Sequence, residues 1–264
     1  MKVIVLGNGN AGRYIHKFLS QSLFNCYIFS RKNFDATVTD FNFLTSILKP
    51  GDVVINCVGI LKPKIKEVGV EKTFIINSSF PNSLNEICKT YNAHFIHICS
   101  DCVFKGDKGN YSEDDKTDAT DVYALSKKLV KNGTIIRTSF IGQYSGLLKW
   151  LLKNKDNKIH GYDNCIWNGV TALELAKYIQ NIILDNSYWD GVRHLHSLEK
   201  ISKYNLCKLI SKIYSLNIIV KRTLTDSIEG QKVDSVLDRS LTTKYDLNIN
   251  PLEIQLNELK EFDS

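Results

Sequence analysis

Tyr123-Ala124-Leu125-Ser126-Lys127 places Tyr123 and Lys127 one helical turn apart on the same face of a predicted helix. Shortly before it, Cys99-Ser100-Asp101 closes an apolar run and sets a hydroxyl at the mouth of a predicted strand. A free tyrosine ionises near pH ~10, so it is a poor acid–base group at neutral pH unless something favours its anion. Lys127 can do so by proximity, and a cationic oxidised nicotinamide would add to it. The same lysine can hold ribose hydroxyls, and Ser100 can hydrogen-bond a carbonyl and orient it beside Tyr123. Asp101 either pins the loop or assists a proton relay. Cys99 reads as packing rather than as a nucleophile, since no histidine is paired with it locally. These are the parts of a nucleotide-dependent ketone reductase: a tyrosine gives a proton to a carbonyl while a nicotinamide gives it a hydride.

Tyr-x-x-x-Lys occurs on many helix surfaces, so its weight comes from what precedes it. Residues 2 to 6 are a β-branched apolar run, Gly7-Asn8-Gly9-Asn10-Ala11-Gly12 follows at once, and a helical pattern runs through Ile15, Phe18 and Leu19. Strand, glycine turn and helix are the context a dinucleotide fingerprint requires. Gly7 permits the turn, Gly9 the approach of the pyrophosphate, and Gly12 the close contact of helix and strand. Asn10 and Ala11 open the helix whose N-terminus meets the phosphates.

The end of the second strand discriminates between cofactors. NAD enzymes place an acid there for the adenosine ribose; this chain has Ser30, Arg31 and Lys32, which can donate to a 2′-phosphate. NADPH is therefore favoured over NADH. Asp40 is a candidate contact at the adenine end, and Cys57-Val58-Gly59 closes the third strand and runs along the cofactor.

The composition is globular: 43% hydrophobic and 23% charged residues over 264. No run approaches the roughly 18 to 20 apolar residues of a membrane span, and Met1 to Leu6 is too short for a signal peptide. The net charge of +6 comes from lysines spread through the chain rather than blocked or interleaved with aromatics. That argues against nucleic acid as a partner and suits an anionic nucleotide substrate. The seven cysteines are odd in number and mostly lie in apolar surroundings, which points to reduced thiols in a cytoplasmic protein. No cysteine or histidine group has metal-ligand spacing.

The alternation continues. Strands are predicted at Cys26–Phe29, Asp52–Cys57, His94–Cys99 and Thr134–Thr138. Helices are predicted at Phe41–Leu48, at Val70–Lys89 with a kink at Pro81, and at Asp121–Val130. This is an α/β chain with a Rossmann-type, doubly wound parallel sheet covered by helices on both faces. The rhythm changes after residue 143. Helices at Leu147–Leu152, Thr171–Leu184, Ile201–Tyr214 and Leu252–Phe262, with a short strand at Ile218–Lys221, suggest a smaller C-terminal substrate-binding lobe. The expected division is 1–143 for the nucleotide-binding domain and 144–264 for the lobe, with a crossing back to the sheet near 188–200 (a strand at Val192–Leu198).

Ile96-His-Ile-Cys-Ser-Asp-Cys-Val-Phe104 through Gly106, the Tyr111-Ser-Glu-Asp-Asp115 loop, Tyr123 with Lys127, Ile135-Ile-Arg-Thr-Ser139 and Gly161-Tyr-Asp-Asn-Cys-Ile-Trp-Asn-Gly-Val-Thr171 together resemble one family. It is the extended short-chain dehydrogenase/reductase superfamily, in its dTDP-4-dehydrorhamnose reductase-like, sugar-nucleotide-reducing branch. The likeness extends over most of the chain and is strongest from residue 94 to 180. Three departures stand out. The glycine turn is the tighter G-x-G-x-x-G where the family has G-x-x-G-x-x-G, Ala124 stands where glycine is common, and Ser100 where threonine is frequent. The resemblance implies hydride transfer to a sugar C4 ketone, with Tyr123 protonating the resulting oxyanion, Ser100 and Tyr123 stabilising it, and Lys127 orienting the ribose.

The implied substrate is a dTDP- or UDP-linked 4-keto-6-deoxyhexose, with or without a 2-acetamido group, for surface polysaccharide precursors. Asp101 and Cys102 lie beside Ser100 on the expected substrate side. Lys62 and Lys64 stand either as walls of a diphosphate site or as surface lysines. Asn168, Gly169 and Thr171 either contact the sugar nucleotide or cap the helix that begins near Thr171, and for Asn168 capping is favoured over contact. Trp150 and Trp167 line the pocket or fill the core. Alternatives are an NAD-retaining 4-epimerase and a nonenzymatic NADP-binding regulator; a homodimer is the prior for assembly.

Overall fold

The computed structural model describes residues 1–38, 41–225 and 237–264, so Asp40 lies outside the described residues. In chain order the elements begin with β1 (Lys2–Leu6), α1 (Asn10–Ser20), β2 (Asn25–Phe29), α2 (Asn42–Thr45), β3 (Val53–Asn56), α3 (Ile65–Val68), α4 (Val70–Phe74), α5 (Phe80–Thr90), β4 (His94–Ser100), α6 (Val122–Lys127) and β5 (Thr134–Thr138). They continue with β6 (Phe140–Ile141), α7 (Gly146–Lys153), β7 (Lys158–Tyr162), β8 (Ile166–Trp167), β9 (Val170–Thr171), α8 (Ala172–Leu184), β10 (Gly191–Leu195), β11 (Ile201–Ser202), α9 (Lys203–Ile213), β12 (Ile219–Thr223) and α10 (Leu252–Asp263).

The main sheet has the order β10-β5-β4-β3-β1-β2, and every pair in it is parallel. Strand residues alternate between faces, and the apolar run of β1 feeds two cores. Val3 and Val5 pack with Ile15 and Leu19 of α1 and with Leu175, Ile179 and Ile182 of α8. Ile4 and Leu6 pack on the other face with Leu44, Val54, Phe80, Leu84 and Phe95. A strand buried on both sides needs a continuous hydrophobic run, which is what residues 3 to 6 supply.

The strand order reverses direction between β1 and β3. In open α/β sheets a ligand crevice forms at such a switch point, beyond the C-terminal strand ends. β10 returns the chain to the sheet, pairing Gly191 to Leu195 with Thr134 to Thr138. Beyond the sheet, a separate core holds Leu148, Leu151, Ile159, Leu206, Ile210, Leu252, Leu256 and Leu259. Two-stranded pairs β12–β7, β11–β8 and β6–β9 complete this part.

Three helical predictions require correction. The helix expected across Phe41–Leu48 is regular only over Asn42–Thr45. It lacks a side-chain cap and is too short to propagate on its own hydrogen bonds; burial of Leu44 and Leu48 sets its path. The helix expected to reach Val130 ends at Lys127, and the chain then turns to bury Val130 beside Cys99 and Ile135. The long helix expected over Val70–Lys89 is broken by a π-turn at Ile75–Ser79, where the Phe80 N–H reaches the Ile75 carbonyl. Pro81 has no N–H to give, so the widened turn falls just ahead of it. That turn aims the buried Asn77 at two elements: Oδ1 accepts from Ile60 N–H at 2.7 Å, and Nδ2 donates to the Ile60 carbonyl at 3.1 Å and to Ser126 Oγ at 3.0 Å. Asn77 thus ties the loop after β3 to α6.

Candidate active site

A groove of about 790 Å³ lies at the switch point, lined by Gly7, Gly9, Ser30, Arg31, Lys32, Cys57, Val58 and Gly59, together with Asn8, Phe34, Thr37, Lys72 and Ile76. The turns after β1, β2 and β3 therefore open on one space. Gly7 has φ +100, which a side chain would strain, and a Cβ there would meet the Cys57 carbonyl carbon at 3.0 Å. A Cβ on Gly12 would stand 1.8 Å from the Gly7 carbonyl oxygen, while one on Gly9 would meet nothing within 4 Å. Gly12 is where helix and turn touch, and Gly9 is where the surface is free. The first turn of α1 has no side-chain cap and no acidic residue, so its N–H groups have no anionic side-chain partner of their own.

Asn10, Ala11 and Gly12 do not line the groove. Ala11 and Gly12 are buried behind it, and the buried Asn10 Oδ1 has no partner among the described residues. Arg31 and Lys32 are exposed beside the groove, on a turn closed by Asn33, whose Oδ1 accepts from Ser30 N–H at 2.9 Å.

Gly59 links this groove to the second group of residues. A Cβ built on it would sit 3.9 Å from Lys127 Nζ. Lys127 is buried and donates to the Ile98 carbonyl at 3.0 Å, and its Nζ lies 3.3 Å from His97 Nε2. Burial pulls its pKa down, against a smaller opposite influence from the Cys99 and Cys57 thiols. The Tyr123 phenol is buried and held well above the ordinary tyrosine range, chiefly by desolvation, then by Cys102; Ser100 opposes the shift. Tyr123 therefore carries its proton at neutral pH, as a proton donor must.

Ser100 caps its own turn: Oγ accepts from Cys102 N–H at 3.1 Å and donates to Asp101 Oδ1 at 3.1 Å. Burial raises the Asp101 carboxyl, and the Arg239 cation opposes the rise. Asp121 begins α6. Its Oδ1 accepts from Ala124 N–H at 3.1 Å and its Oδ2 pairs with Lys62 at 2.9 Å. Lys62 is thereby tied to the start of the Tyr123 helix, whereas Lys64 pairs with Glu67 on the surface.

Asn168 does not cap α8. Thr171 does, its Oγ1 accepting from Glu174 N–H at 3.1 Å. The buried Asn168 instead clamps Leu241, giving Nδ2–H to its carbonyl at 2.8 Å and accepting its N–H at 2.9 Å. Trp167 donates to Ser139 Oγ at 2.9 Å, and Trp150 is exposed. The clamp on Leu241 fixes the segment that carries Arg239, which sequence reasoning did not single out. Arg239 donates to the Phe104 carbonyl at 2.8 Å and lies 3.6 Å from Cys102 Sγ. Nothing local in the sequence marks this arginine, because its placement depends on a contact 135 residues away in the chain.

Two histidines behind the site set an acid limit on stability. Burial above all, with the Arg137 cation beside His194, holds His97 and His194 well below the ordinary imidazole value. The unfolded chain, titrating near pH ~6.5, then binds protons that the folded chain refuses. Their contribution is full above that value and is lost as pH falls below it toward the folded values. Urea midpoints are expected to drop between about pH 7.5 and pH 5; a flat profile would contradict neutral burial of both rings.

A parallel doubly wound sheet with a glycine turn at its switch point, and a serine, tyrosine and lysine gathered beyond it, defines a dinucleotide-binding fold of the reductase type. The chain belongs to the family described as RmlD substrate binding domain, whose model matches residues 1–236. Among curated relatives it is similar to the dTDP-4-dehydrorhamnose reductase of Mycobacterium tuberculosis (strain CDC 1551 / Oshkosh), 34% identical over 95 residues, covering 34% of this chain and 31% of that protein. It is also similar to the spore coat polysaccharide biosynthesis protein SpsK of Bacillus subtilis (strain 168), 31% identical over 191 residues, covering 66% and 65% of the two chains. The matched segment thus spans about a third of the mycobacterial relative. Among solved structures, the dTDP-4-dehydrorhamnose reductase of Bacillus anthracis str. Ames, in complex with NADP, superposes with TM-score 0.82 at 19% identity over 100% of this chain and 99% of that one. The ortholog from Clostridium acetobutylicum gives 0.81 at 20% identity over 99% of both. These likenesses bear on fold. No helix among the described residues is long and apolar enough to cross a membrane.

Proposed function

We propose that this chain reduces the C4 ketone of a nucleotide-activated 4-keto-6-deoxyhexose with NADPH. One observation carries the reading: Gly59 lines the groove built by the glycine turn, an ideal Cβ on it would sit 3.9 Å from Lys127 Nζ, and Lys127 shares its helix with Tyr123, on which the Ser100 hydroxyl acts. The family match and the names of its relatives support the substrate class.

Gly7, Gly9 and the first turn of α1 would hold the cofactor pyrophosphate, Arg31 and Lys32 its 2′-phosphate, and Cys57 to Gly59 its nicotinamide half. The open volume, the uncapped helix start and the absence of room for a side chain at Gly12 all fit such a group. When bound, reduced nicotinamide supplies a hydride. The protein supplies the rest. Ser100 accepts and re-donates hydrogen bonds at the turn where a substrate carbonyl would sit. Tyr123 holds a proton in a buried place and releases it to the oxygen on which charge develops. Lys62 and Arg239 are the cations on the substrate side and would face the nucleotide diphosphate.

The test follows the hydride. With NADPH deuterated on the transferred side, the isotope is expected at C4 of the sugar product. Product lacking deuterium, or inverted at C4 without net oxidation of NADPH, would move the chain to epimerase chemistry. Cofactor choice is tested separately. Arg31→Ala is expected to weaken NADPH about tenfold, on the scale of one charge-assisted hydrogen bond of ~1.5 kcal/mol, and to leave NADH unchanged. Equal losses for both would mean that Arg31 does not meet the 2′-phosphate.

A further inference from the structure

The buried polar chain behind Lys127 has a direction that can be read from its donors. Asn56 ends β3, and its Oδ1 accepts from Val58 N–H at 3.0 Å. A backbone N–H can only donate, so this contact fixes which way the amide faces. Asn56 Nδ2 is then the group 3.1 Å from His97 Nδ1, and it must donate there. His97 Nδ1 is therefore the bare nitrogen of the ring, and the ring proton sits on Nε2. A doubly protonated ring would set one N–H against another at Asn56. Asn56 and His97 are both fully buried, so water offers no alternative partner.

His97 Nε2 lies 3.3 Å from Lys127 Nζ. With Nε2 a donor, Nζ can complete that contact only by offering a lone pair. A free amine can accept from His97 and still donate to the Ile98 carbonyl at 3.0 Å. An ammonium can do only the second.

We propose that His97, locked in its Nε2–H tautomer by Asn56, is a positioning residue that holds Lys127 as a free amine in the cofactor-free protein. This rests on the reading that Lys127 serves Tyr123. Lys127 then gains its charge, taking a proton from solvent, only when the His97 contact is given up. The cation that favours the Tyr123 anion is in this way tied to an occupied site.

The surroundings agree. Cys57 on the β3 side is pushed up to about 12 by burial and stays a neutral thiol. Cys99 from β4 gives only its Sγ–H, directed at the Lys127 carbonyl. Tyr123 on the same helix is neutral, and Asn77 and Ser126 are uncharged and bonded to each other. The Asp101 carboxyl faces Ser100 and Arg239. None of the salt bridges among the described residues includes Lys127. Burial draws Lys127 and His97 toward their neutral forms.

The test is nitrogen NMR of ligand-free protein labelled in lysine and histidine, with Lys127→Met to assign the lysine signal. The expected result near pH ~7 is an amine signature for Lys127 and a proton on Nε2 of His97. Asn56→Asp keeps the shape but replaces the donor by an acceptor. It is expected to move the ring proton to Nδ1, turn Nε2 into an acceptor, and raise the ionisation of Lys127 by at least about one pH unit, a tenfold gain in proton affinity. His97→Gln, whose amide oxygen can accept, is expected to shift Lys127 the same way. An ammonium signal in the unaltered protein would overturn the proposal. So would a His97 proton that stays on Nε2 in Asn56→Asp while Lys127 shifts, since added charge alone would then explain the change. The measurement uses no sugar, so a wrong substrate class cannot produce its failure, and failure of a turnover assay cannot be mistaken for it.

Discussion

Tyr123→Phe is expected to lower kcat/KM by about 100- to 10,000-fold, the usual range for loss of a positioned proton donor, while NADPH binding stays as it was. The separation follows from position. The phenol sits on α6 among Ser100, Asp101 and Cys102, and none of these four residues lines the nucleotide groove. Removing one oxygen from a buried ring leaves the packing intact and takes away the proton. If kcat fell while NADPH affinity fell with it, Tyr123 would be acting through the fold rather than at the reacting carbonyl. If activity survived, the proton would have to come from elsewhere, and Asp101, whose burial keeps it inclined to hold a proton, would be the next residue to change.

The second large effect is expected at Gly12. Its missing side chain leaves 1.8 Å between an ideal Cβ and the Gly7 carbonyl oxygen, a backbone atom that cannot swing aside. Gly12→Ala must push α1 away from the turn. Overpacking of this kind costs about 1–3 kcal/mol, and in a chain of this length each kcal/mol lowers Tm by roughly 2–4 °C. The same shift moves the N-terminal amides of α1, so NADPH affinity is expected to fall at least about tenfold, the equivalent of ~1.4 kcal/mol. Gly9→Ala is the control, since a Cβ there meets nothing. It is expected to leave Tm unchanged and to weaken NADPH only if the pyrophosphate passes over that residue. Equal Tm values for the two variants would contradict the packing described for the turn.

What could be read from the sequence was what is decided locally. The run at residues 3 to 6, the glycine turn and the α1 pattern follow from chain-neighbour chemistry, and so did the parallel sheet. The strand read at Val192–Leu198 lies at Gly191–Leu195 and pairs with β5. The helix limits were misread where distant contacts set them. Burial of Val130 ends α6 early, and Leu44 and Leu48 pin a segment too short to be a full helix. The π-turn before Pro81 has a sequence signal in the proline, but its consequence, the aim of Asn77 at Ile60 and Ser126, does not.

At the site, Ser100, Tyr123 and Lys127 could be singled out because two of them share a helix face and the third ends a strand. Thr171 and Asn168 could not be sorted by spacing alone. Both suit a cap, and only the fold shows that Thr171 takes that place while Asn168 holds Leu241. Arg239 and His97 carry no local mark in the sequence for the same reason. One reaches the site from far along the chain, and the other looks like any polar residue inside a strand until Asn56 and Lys127 are placed on either side of it.

The most direct measurement is consumption of NADPH against a panel of dTDP-, UDP- and GDP-linked 4-keto-6-deoxy sugars, with Tyr123→Phe run alongside. The predicted result is turnover on a dTDP- or UDP-linked member of the panel, lost in the variant. Protein that binds NADPH and oxidises it with none of these sugars, or oxidises it equally well with Tyr123→Phe, would contradict a 4-ketoreductase built on Ser100, Tyr123 and Lys127.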